Sequence, residues 1–166
     1  MDEHTFQVFY SETARPLRAY VARVLGDFNQ ADDIVQESFL KLLRLPAAPN
    51  NPQQLRPLLF RIASNLVNDD WRRRRRAMKA ADAQTFESNR PTPDMALRLD
   101  MIRVFQHLNM QQRQMMWLAH VEGADHREIA AALGLREGSV RVLLHRARRK
   151  LASLLQPARP PGGTHG

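Results

Sequence analysis

The sequence contains no cysteine among its 166 residues. Disulfide bonds and thiolate metal sites are therefore excluded. It also lacks any run of about 18 consecutive apolar residues, the length that a transmembrane helix requires. Its acidic beginning, MDEHTFQVFYSE, has no apolar core of the kind found in a signal peptide. We therefore expect a soluble, cytoplasmic protein that needs no cofactor.

Glycine is scarce, at 7 residues, and no segment alternates apolar and polar residues as a half-buried strand does. Apolar residues recur instead at helical spacing along most of the chain. The first predicted helix is closed by Gly26, and a second begins at Asp32 and Asp33, whose charges favour the positive end of a helix dipole. A third runs from about Gln53 into a run of arginines.

Residues 78–92 interrupt this pattern, because they show little apolar periodicity and lead into Pro91 and Pro93. We therefore predict an all-α fold, in which two small helical domains are joined by a flexible linker and the C-terminal domain is a helix-turn-helix. The predicted divisions are residues 1–77, the linker 78–92, residues 93–155, and a disordered tail at 156–166.

The net charge of +8 is unevenly distributed along the chain. Residues 1–70 carry 7 basic and 9 acidic side chains, whereas residues 71–166 carry 18 and 8. An asymmetry of this kind indicates a nucleic-acid partner for the basic part. The slightly acidic front half is typical of a surface that binds something else, such as a protein.

Residues 125–150, DHREIAAALGLREGSVRVLLHRARRK, have the form of a helix-turn-helix. Asp125 and Glu128 have the spacing of a capping box, and Gly134 ends the first helix in a turn. Ala130 is small at the position where the two helices must cross closely. In a helix-turn-helix the second helix enters the DNA major groove, and here that helix is rich in arginine. A helical hairpin with a solvated basic face is the alternative, and the ordered set of features favours DNA binding.

Residues 61–76, RIASNLVNDDWRRRRR, form a second unusual element. On a helix, its asparagines and first arginine share one polar face. Amides hydrogen-bond to base edges and guanidinium groups hold phosphates, while Trp71 offers a ring on which an unpaired base can stack. A solvated helix end or a localisation signal would explain the arginines but not the asparagines. We therefore favour nucleic-acid binding here as well.

Catalytic chemistry finds little support in the sequence. The six histidines are scattered, and His120 and His126 are too loosely spaced to form a helical metal pair. Adjacent carboxylates such as Asp32 and Asp33 point to different faces of a helix. The sequence contains neither a phosphate-binding loop nor a nucleophile elbow. We predict that the protein is not an enzyme and has no metal site.

Three segments together resemble a bacterial sigma factor of the extracytoplasmic-function (ECF) type, within the sigma-70 family. Residues 31–43, ADDIVQESFLKLL, are similar to the helix that docks on the polymerase clamp. Residues 58–75, LLFRIASNLVNDDWRRRR, are similar to the element that reads and opens the −10 region. The helix-turn-helix with its preceding helices is similar to the domain that reads the −35 element. Residues 58–61, LLFR, also resemble the subgroup that serves iron uptake.

The resemblance implies three sets of contact residues. Those expected to bind core polymerase are Asp32, Asp33, Gln36 and Glu37. Those expected along the opened −10 strand are Asn65, Asn68, Asp69, Arg72 and Arg73, with Asn65 at the position that surrounds a flipped base. Those expected on the −35 duplex are Arg136, Ser139, Arg141, His145, Arg146, Arg148 and Arg149. Many family members carry a small polar and a basic residue directly after the position of Arg141, whereas this chain has Val142 and Leu143.

The implied function is promoter recognition and transcription initiation, with the polymerase supplying all phosphodiester chemistry. The implied partners are core RNA polymerase, through its β′ clamp and β flap, promoter DNA, and an anti-sigma factor that is membrane-anchored; no small-molecule substrate is expected. The alternative is a dimeric helix-turn-helix transcription regulator that does not bind core polymerase. Copurification with core polymerase distinguishes the two.

Overall fold

The structure, a computed structural model, describes residues 1–80 and 102–156. Helical residues also span 102–106, and no strand occurs in the two described ranges, in agreement with the predicted all-α fold. No helix in these ranges is long and apolar enough to cross a membrane. The main helices are α1 (Glu3–Leu25), α2 (Phe28–Arg44), α3 (Pro52–Ala80), α4 (Met110–His120), α5 (His126–Leu133) and α6 (Glu137–Leu155).

Helix α1 lies against both α2 and α3 in the front half of the molecule. As predicted, Gly26 ends α1, and it does so with a left-handed φ of 74°. At the centre of this bundle the Tyr20 hydroxyl lies 2.7 Å from Oγ of Ser64, and both side chains are completely buried. Because the Ser64 proton is donated to the carbonyl oxygen of Phe60 at 2.6 Å, the Tyr20 hydroxyl is the donor in this pair.

Helix α2 begins one turn earlier than predicted. Asp27 is its N-cap, and the Asp27 carboxylate accepts a hydrogen bond from the backbone N–H of Asn29 at 2.9 Å. The predicted start at Asp32 and Asp33 was therefore wrong, since these residues lie in the second turn. Asp27, directly after the glycine that ends α1, supplies the short polar side chain that an N-cap requires.

Helix α3 continues through Ala80 and so includes the first three residues of the linker predicted at 78–92. The sequence from residue 58 to residue 90 contains neither glycine nor proline, so no helix-breaking residue stops α3 after its arginines. Pro57 lies in the second turn of α3 and leaves the carbonyl group of Gln53 without an intrahelical partner. The predicted linker beyond residue 80 and the tail beyond residue 156 lie outside the described residues.

In the back half of the molecule, residues 102–156, two of the three main helices begin at a residue whose side chain caps the helix. Asn109 and Gln112 form a reciprocal capping box at the start of α4. At the start of α5 the Asp125 carboxylate accepts a hydrogen bond from the N–H of Glu128 at 2.8 Å, and Gly134 ends the helix with φ 65°. These two features confirm the predicted boundaries of the first helix of the helix-turn-helix. Helix α6 begins at Glu137 without a side-chain cap.

The two halves pack directly against each other. Helix α3 contacts α5, and α1 contacts α4. Buried apolar residues from both halves form one continuous cluster, which includes Leu17 and Leu59 from the front and Met115 and Ile129 from the back. The sequence predicted two bodies and a tether between them. It did not predict that they share a core, and this packing determines which predicted contact residues are exposed.

Candidate nucleic-acid and protein interfaces

Helix α2 presents the predicted polymerase-binding residues on its outer side. Asp32, Asp33 and Gln36 are exposed and Glu37 is half-buried. The Arg18 side chain on α1 donates to Asp32 at 2.6 Å, and this hydrogen bond raises the pKa of Arg18. The structure therefore brings these four residues together on one acidic face, with Asp32 held by an ion pair.

The acidic face of α2 continues into apolar residues that the sequence analysis did not select. Leu40 and Leu43 are 42% and 50% exposed, and they follow Gln36 at spacings of four and seven residues. Helical periodicity therefore places all three on one side of α2. The helical spacing of Gln36, Leu40 and Leu43 could have revealed this longer surface from the sequence. The surface is acidic towards the N-terminus of α2 and apolar towards its C-terminus.

Helix α3 holds the predicted −10 residues, but not all of them are free. Asn65, Asp69, Arg72 and Arg73 are exposed. Asn68 is half-buried, and its side-chain oxygen accepts a hydrogen bond from Nε2 of Gln114 on α4 at 3.2 Å. The back half of the molecule thus occupies one of the five predicted contact residues.

The five consecutive arginines, Arg72 to Arg76, differ in the side chains that they contact. Arg74 pairs with Asp70 on α3 at 2.8 Å and with the α2 N-cap Asp27 at 3.1 Å. The Arg75 guanidinium lies over the ring of Trp71, 5.1 Å from its centroid. Arg74 therefore ties the end of α3 to the turn before α2. One face of the Trp71 ring, predicted as a stacking platform, is taken by Arg75.

Arg72 and Arg73 lie only loosely near acidic partners. The Arg72–Asp69 and Arg73–Asp70 distances are 3.9 and 4.0 Å. At these distances both guanidinium groups stay largely solvated, since their side chains are 64% and 74% exposed. They remain available for a polyanion.

The second helix of the helix-turn-helix, α6, is anchored by an apolar side. Val140, Leu144 and Ala147 are buried, and Leu143, one of the two departures from the family pattern, is half-buried. Val142, the other departure from the family pattern, is 49% exposed. Helix α6 therefore offers an apolar surface where many family members have a polar one.

All seven predicted −35 residues are exposed at α6 or at its N-cap. Arg141, His145 and Arg148 recur at spacings of four and three residues, which places them on one side of α6. The other four predicted −35 residues lie on different sides of α6 or at its N-cap; they are Arg136, Ser139, Arg146 and Arg149.

Two histidines that were not selected from the sequence belong to this basic surface. Nε of Arg148 donates to Nε2 of His120 on α4 at 3.2 Å, so His120 orients Arg148. His126, the first residue of α5, lines a groove together with Arg141, His145 and Arg148. No sequence signal indicated either histidine, because both contacts join different helices.

Two matches to family models cover most of the chain. Residues 9–77 match the model described as "Sigma-70 region 2", and residues 98–151 match the model described as "Sigma-70, region 4". The ECF RNA polymerase sigma factor EcfG of Rhodopseudomonas palustris is 30% identical over 142 residues, which are 84% of this chain and 78% of EcfG.

Two solved structures have folds similar to that of this chain. The sigma factor RpoE of Bartonella quintana, in complex with the anti-sigma factor NepR, is 25% identical with a TM-score of 0.73, over 93% of this chain and 98% of that one. CnrH, in complex with the cytosolic domain of CnrY, is 25% identical with a TM-score of 0.68, over 93% of this chain and 89% of that one. The chain belongs to the sigma-70 family and is of its ECF type. It is an RNA polymerase sigma factor, which acts in promoter recognition and transcription initiation.

Proposed function

We propose that this sigma factor holds two promoter segments at once while it is bound to core RNA polymerase, and that it supplies recognition but no catalysis. The observation that carries this proposal is the presence of two chemically different nucleic-acid surfaces on the two halves of the chain. Helix α6 is basic and is the second helix of a helix-turn-helix, the element that enters the major groove of duplex DNA. Helix α3 combines amides with arginines, which suits unpaired bases on a phosphate backbone.

Core polymerase binds the acidic face of α2 in this proposal. Asp33 and Glu37 form no ion pair within residues 1–80 and 102–156, so both are available to the basic clamp helices of the β′ subunit. Leu40 and Leu43 extend the contact with apolar area that water otherwise covers. The back half makes the contact with the β flap. A cytoplasmic location follows from this partner.

The −10 element is opened by capture of unpaired bases on α3. Asn65 is exposed and offers both amide donors and an acceptor, and Arg72 and Arg73 follow within about two turns to hold the strand's phosphates. The binding energy offsets the cost of unstacking and unpairing. Because helix α6 is anchored on the −35 duplex in the same complex, the second contact benefits from a high effective concentration.

An anti-sigma factor regulates this protein in our proposal. Support comes from the structures of RpoE with NepR and of CnrH with the cytosolic domain of CnrY. A partner with a named cytosolic domain is consistent with a membrane-anchored anti-sigma factor. The surface that it covers includes the acidic face of α2.

Membership of the iron-uptake subgroup rests on residues 58–61 alone. Leu59 and Phe60 are 0% and 4% exposed, so two of these four residues are core positions selected by packing. Sequencing of the transcripts made in vitro tests this assignment directly. Start sites upstream of genes without any part in iron transport would contradict it.

Reconstitution with purified core polymerase tests the whole proposal. We expect promoter-specific transcripts from genomic templates, and we expect Asp33→Arg to abolish both copurification with core polymerase and transcription. Glu12→Arg, an equal charge reversal at an exposed position of α1, is the matched control and retains both. A chain that elutes as a dimer and never associates with core polymerase would instead establish the alternative, a conventional regulator.

Asn65→Ala tests the assignment of the −10 surface. We expect the variant holoenzyme to bind the −35 duplex normally but to open the promoter poorly, because a held base is lost while the helix-turn-helix is intact. Permanganate footprinting of unpaired thymines measures the opening. Normal melting with Asn65→Ala would remove this residue from the reading surface.

A further inference from the structure

The outermost side of α6 carries an apolar side chain. Val142 comes two residues after the buried Val140 and two residues before the buried Leu144. At about 100° per residue in a helix, two positions correspond to nearly opposite sides, so Val142 points away from the core. Its side chain is 49% exposed. The part of α6 that projects furthest from the protein therefore includes an isopropyl group.

Gly138 lies next to Val142 on this outermost side. It precedes Val142 by four residues, which is about one helical turn, and it is exposed. A Cβ added at Gly138 would meet nothing within 4 Å, and Gly138 is not among the glycines with positive φ. Neither packing nor backbone conformation within the described residues requires glycine here, although glycine is unfavourable in a helix. Glycine does permit the close approach of another molecule.

Gly138 and Val142 together form an uncharged notch in the basic surface of α6. Val142 lines one groove with Arg141, His145 and Arg148. These basic side chains attract a polyanion, so charge complementarity assigns this side of α6 to DNA. The side chains of the notch carry neither a hydrogen-bond donor nor an acceptor. They are therefore suited to contact an apolar group on the DNA, and not the polar edge of a base.

We propose that this notch recognises the C5-methyl group of a thymine in the major groove of the −35 element. Among the four standard bases, thymine is the one that presents a methyl group there. Base edges are contacted by the N-terminal part of a recognition helix, and Gly138 and Val142 are the second and sixth residues of α6. The inference rests on the proposed function of α6 as the −35 reader. Val142 then specifies a base through an apolar contact.

Removal of single methyl groups from the DNA tests the proposal. The probe is a set of duplexes with a promoter mapped in the transcription assay, in which each thymine of the −35 element, on either strand, is replaced in turn by deoxyuridine. Deoxyuridine keeps the hydrogen-bonding groups of thymine and lacks only the C5-methyl group. We expect one replacement to weaken binding by the wild-type holoenzyme about fourfold, as for the loss of one buried methyl group. Mapped −35 elements that share no A·T pair would overturn the proposal.

Val142→Ala shows whether Val142 makes this contact. The substitution removes two methyl groups at an exposed helical position, so the fold is retained. We expect the variant holoenzyme to bind unmodified DNA about three- to fivefold more weakly, and the critical deoxyuridine to weaken its binding further by less than about 1.5-fold, because two changes to one contact are not additive. Deoxyuridine between the −35 and −10 elements is the matched control and should change neither affinity. An equal deoxyuridine effect in the wild type and in Val142→Ala would overturn the proposal.

Gly138→Ala tests the close approach. The added methyl group meets nothing in the free protein, and alanine favours a helix, so urea denaturation should show equal or greater stability. The same methyl group fills the notch, and we expect the variant holoenzyme to bind the −35 element at least about fivefold more weakly, as for an overpacked contact. Ser153→Ala, at an exposed position near the end of the same helix, is the matched control and keeps the wild-type affinity. Wild-type affinity of Gly138→Ala would refute the close approach.

The failure of the notch and the failure of the proposed function give different results. If Arg141→Ala weakens binding to the −35 element but no deoxyuridine does so in the wild type, α6 reads this element without the notch, and the methyl contact alone is wrong. If neither Arg141→Ala nor Val142→Ala changes binding, α6 does not read the −35 element, and the proposed function of this helix is wrong as well.

Discussion

At the scale of single residues, identical side chains differ in function because of their partners. Five consecutive arginines look equivalent in the sequence, yet Arg74 is neutralised by Asp27 and Asp70, while Arg73 is 74% exposed. The sequence predicted a basic surface here. It could not predict that Arg74 is the arginine held by two ion pairs, because the Asp27 carboxylate lies 47 residues away along the chain.

Two arginines of α6 are predicted to differ in what they contact. We propose that Arg141 contacts a base edge, and we therefore expect Arg141→Ala to weaken holoenzyme binding to the cognate −35 element by about 1–3 kcal/mol and to relax its sequence preference. We propose that Arg149 contacts a phosphate, so Arg149→Ala should weaken binding uniformly across sequences and lower the salt dependence by about one counterion. Binding to cognate and scrambled −35 duplexes across salt concentrations measures both. An unchanged preference with Arg141→Ala would remove it from the readout set.

The buried hydroxyl of Tyr20 makes stability sensitive to alkaline pH. Burial raises the pKa of Tyr20 above its ordinary value of 10, so above about pH 10 the unfolded chain releases this proton first. The free energy of unfolding therefore falls as pH rises, with a slope that approaches ~1.4 kcal/mol per pH unit. Below pH 10 the group is neutral in both states and contributes nothing to the slope.

Tyr20→Phe isolates this contribution. The variant loses the hydrogen bond to Ser64, which costs about 1 kcal/mol at neutral pH, and it loses the tyrosine part of the alkaline slope. Urea unfolding between pH 7 and pH 11 measures both effects. Tyr10→Phe, which keeps the buried hydroxyl, should retain the wild-type slope. A Tyr20→Phe variant with that same slope would show that the buried hydroxyl is not its source.

At the scale of elements, most helix ends could be predicted because they depend on residues a few positions apart. Gly26, Asp125 and Gly134 each end or begin a helix as predicted, through contacts within one turn. The start of α2 was misassigned because Asp27 and Asp32 are both adequate N-caps locally. Arg74, which reaches Asp27 from α3, adds a long-range contact at the earlier position that the local pattern does not contain.

Two helix-ending glycines allow local strain and interdomain contact to be separated. Gly26 and Gly134 have φ values of 74° and 65°, but an added Cβ would lie 2.7 Å from Nε2 of Gln106 at Gly26 and would meet nothing within 4 Å at Gly134. We expect Gly134→Ala to cost about 1–2 kcal/mol from the left-handed backbone alone. Gly26→Ala should cost this amount and also break the bond from Gln106 to the carbonyl group of Arg23.

Chemical denaturation and scattering together test this pair. Both variants should lose stability, but only Gly26→Ala should enlarge the radius of gyration, because only its Cβ disturbs a contact between the halves. An equal radius for the two variants would mean that the Gln106 contact does not hold the halves together.

At the scale of the whole molecule, the packing of one half on the other was the part that the sequence could not predict. Helical periodicity identifies the buried side of each helix, but it does not say which helix covers it. Two residues that join the halves, Gln114 and Glu122, are polar types that are expected on a surface. Only the assembled structure shows that they are buried and that Asn68 is covered.

The continuous core predicts that the two halves unfold together. The chain has two tryptophans, both half-buried, with Trp71 on α3 and Trp117 on α4. Trp117→Phe therefore leaves a fluorescent reporter in the front half, and Trp71→Phe leaves one in the back half. In each variant, the urea transition followed by fluorescence should coincide with the transition followed by far-ultraviolet circular dichroism, as a two-state molecule requires.

Weakening the contact between the halves should lower this cooperativity. When Glu122→Gln is added to each single-tryptophan variant, we expect the fluorescence transitions of the two reporters to separate, because each half then unfolds more nearly on its own small core. Glu12→Gln in the same backgrounds is the control and should keep the transitions coincident. Fluorescence and dichroism midpoints that already differ in the single-tryptophan variants would mean that the shared apolar cluster does not couple the two halves.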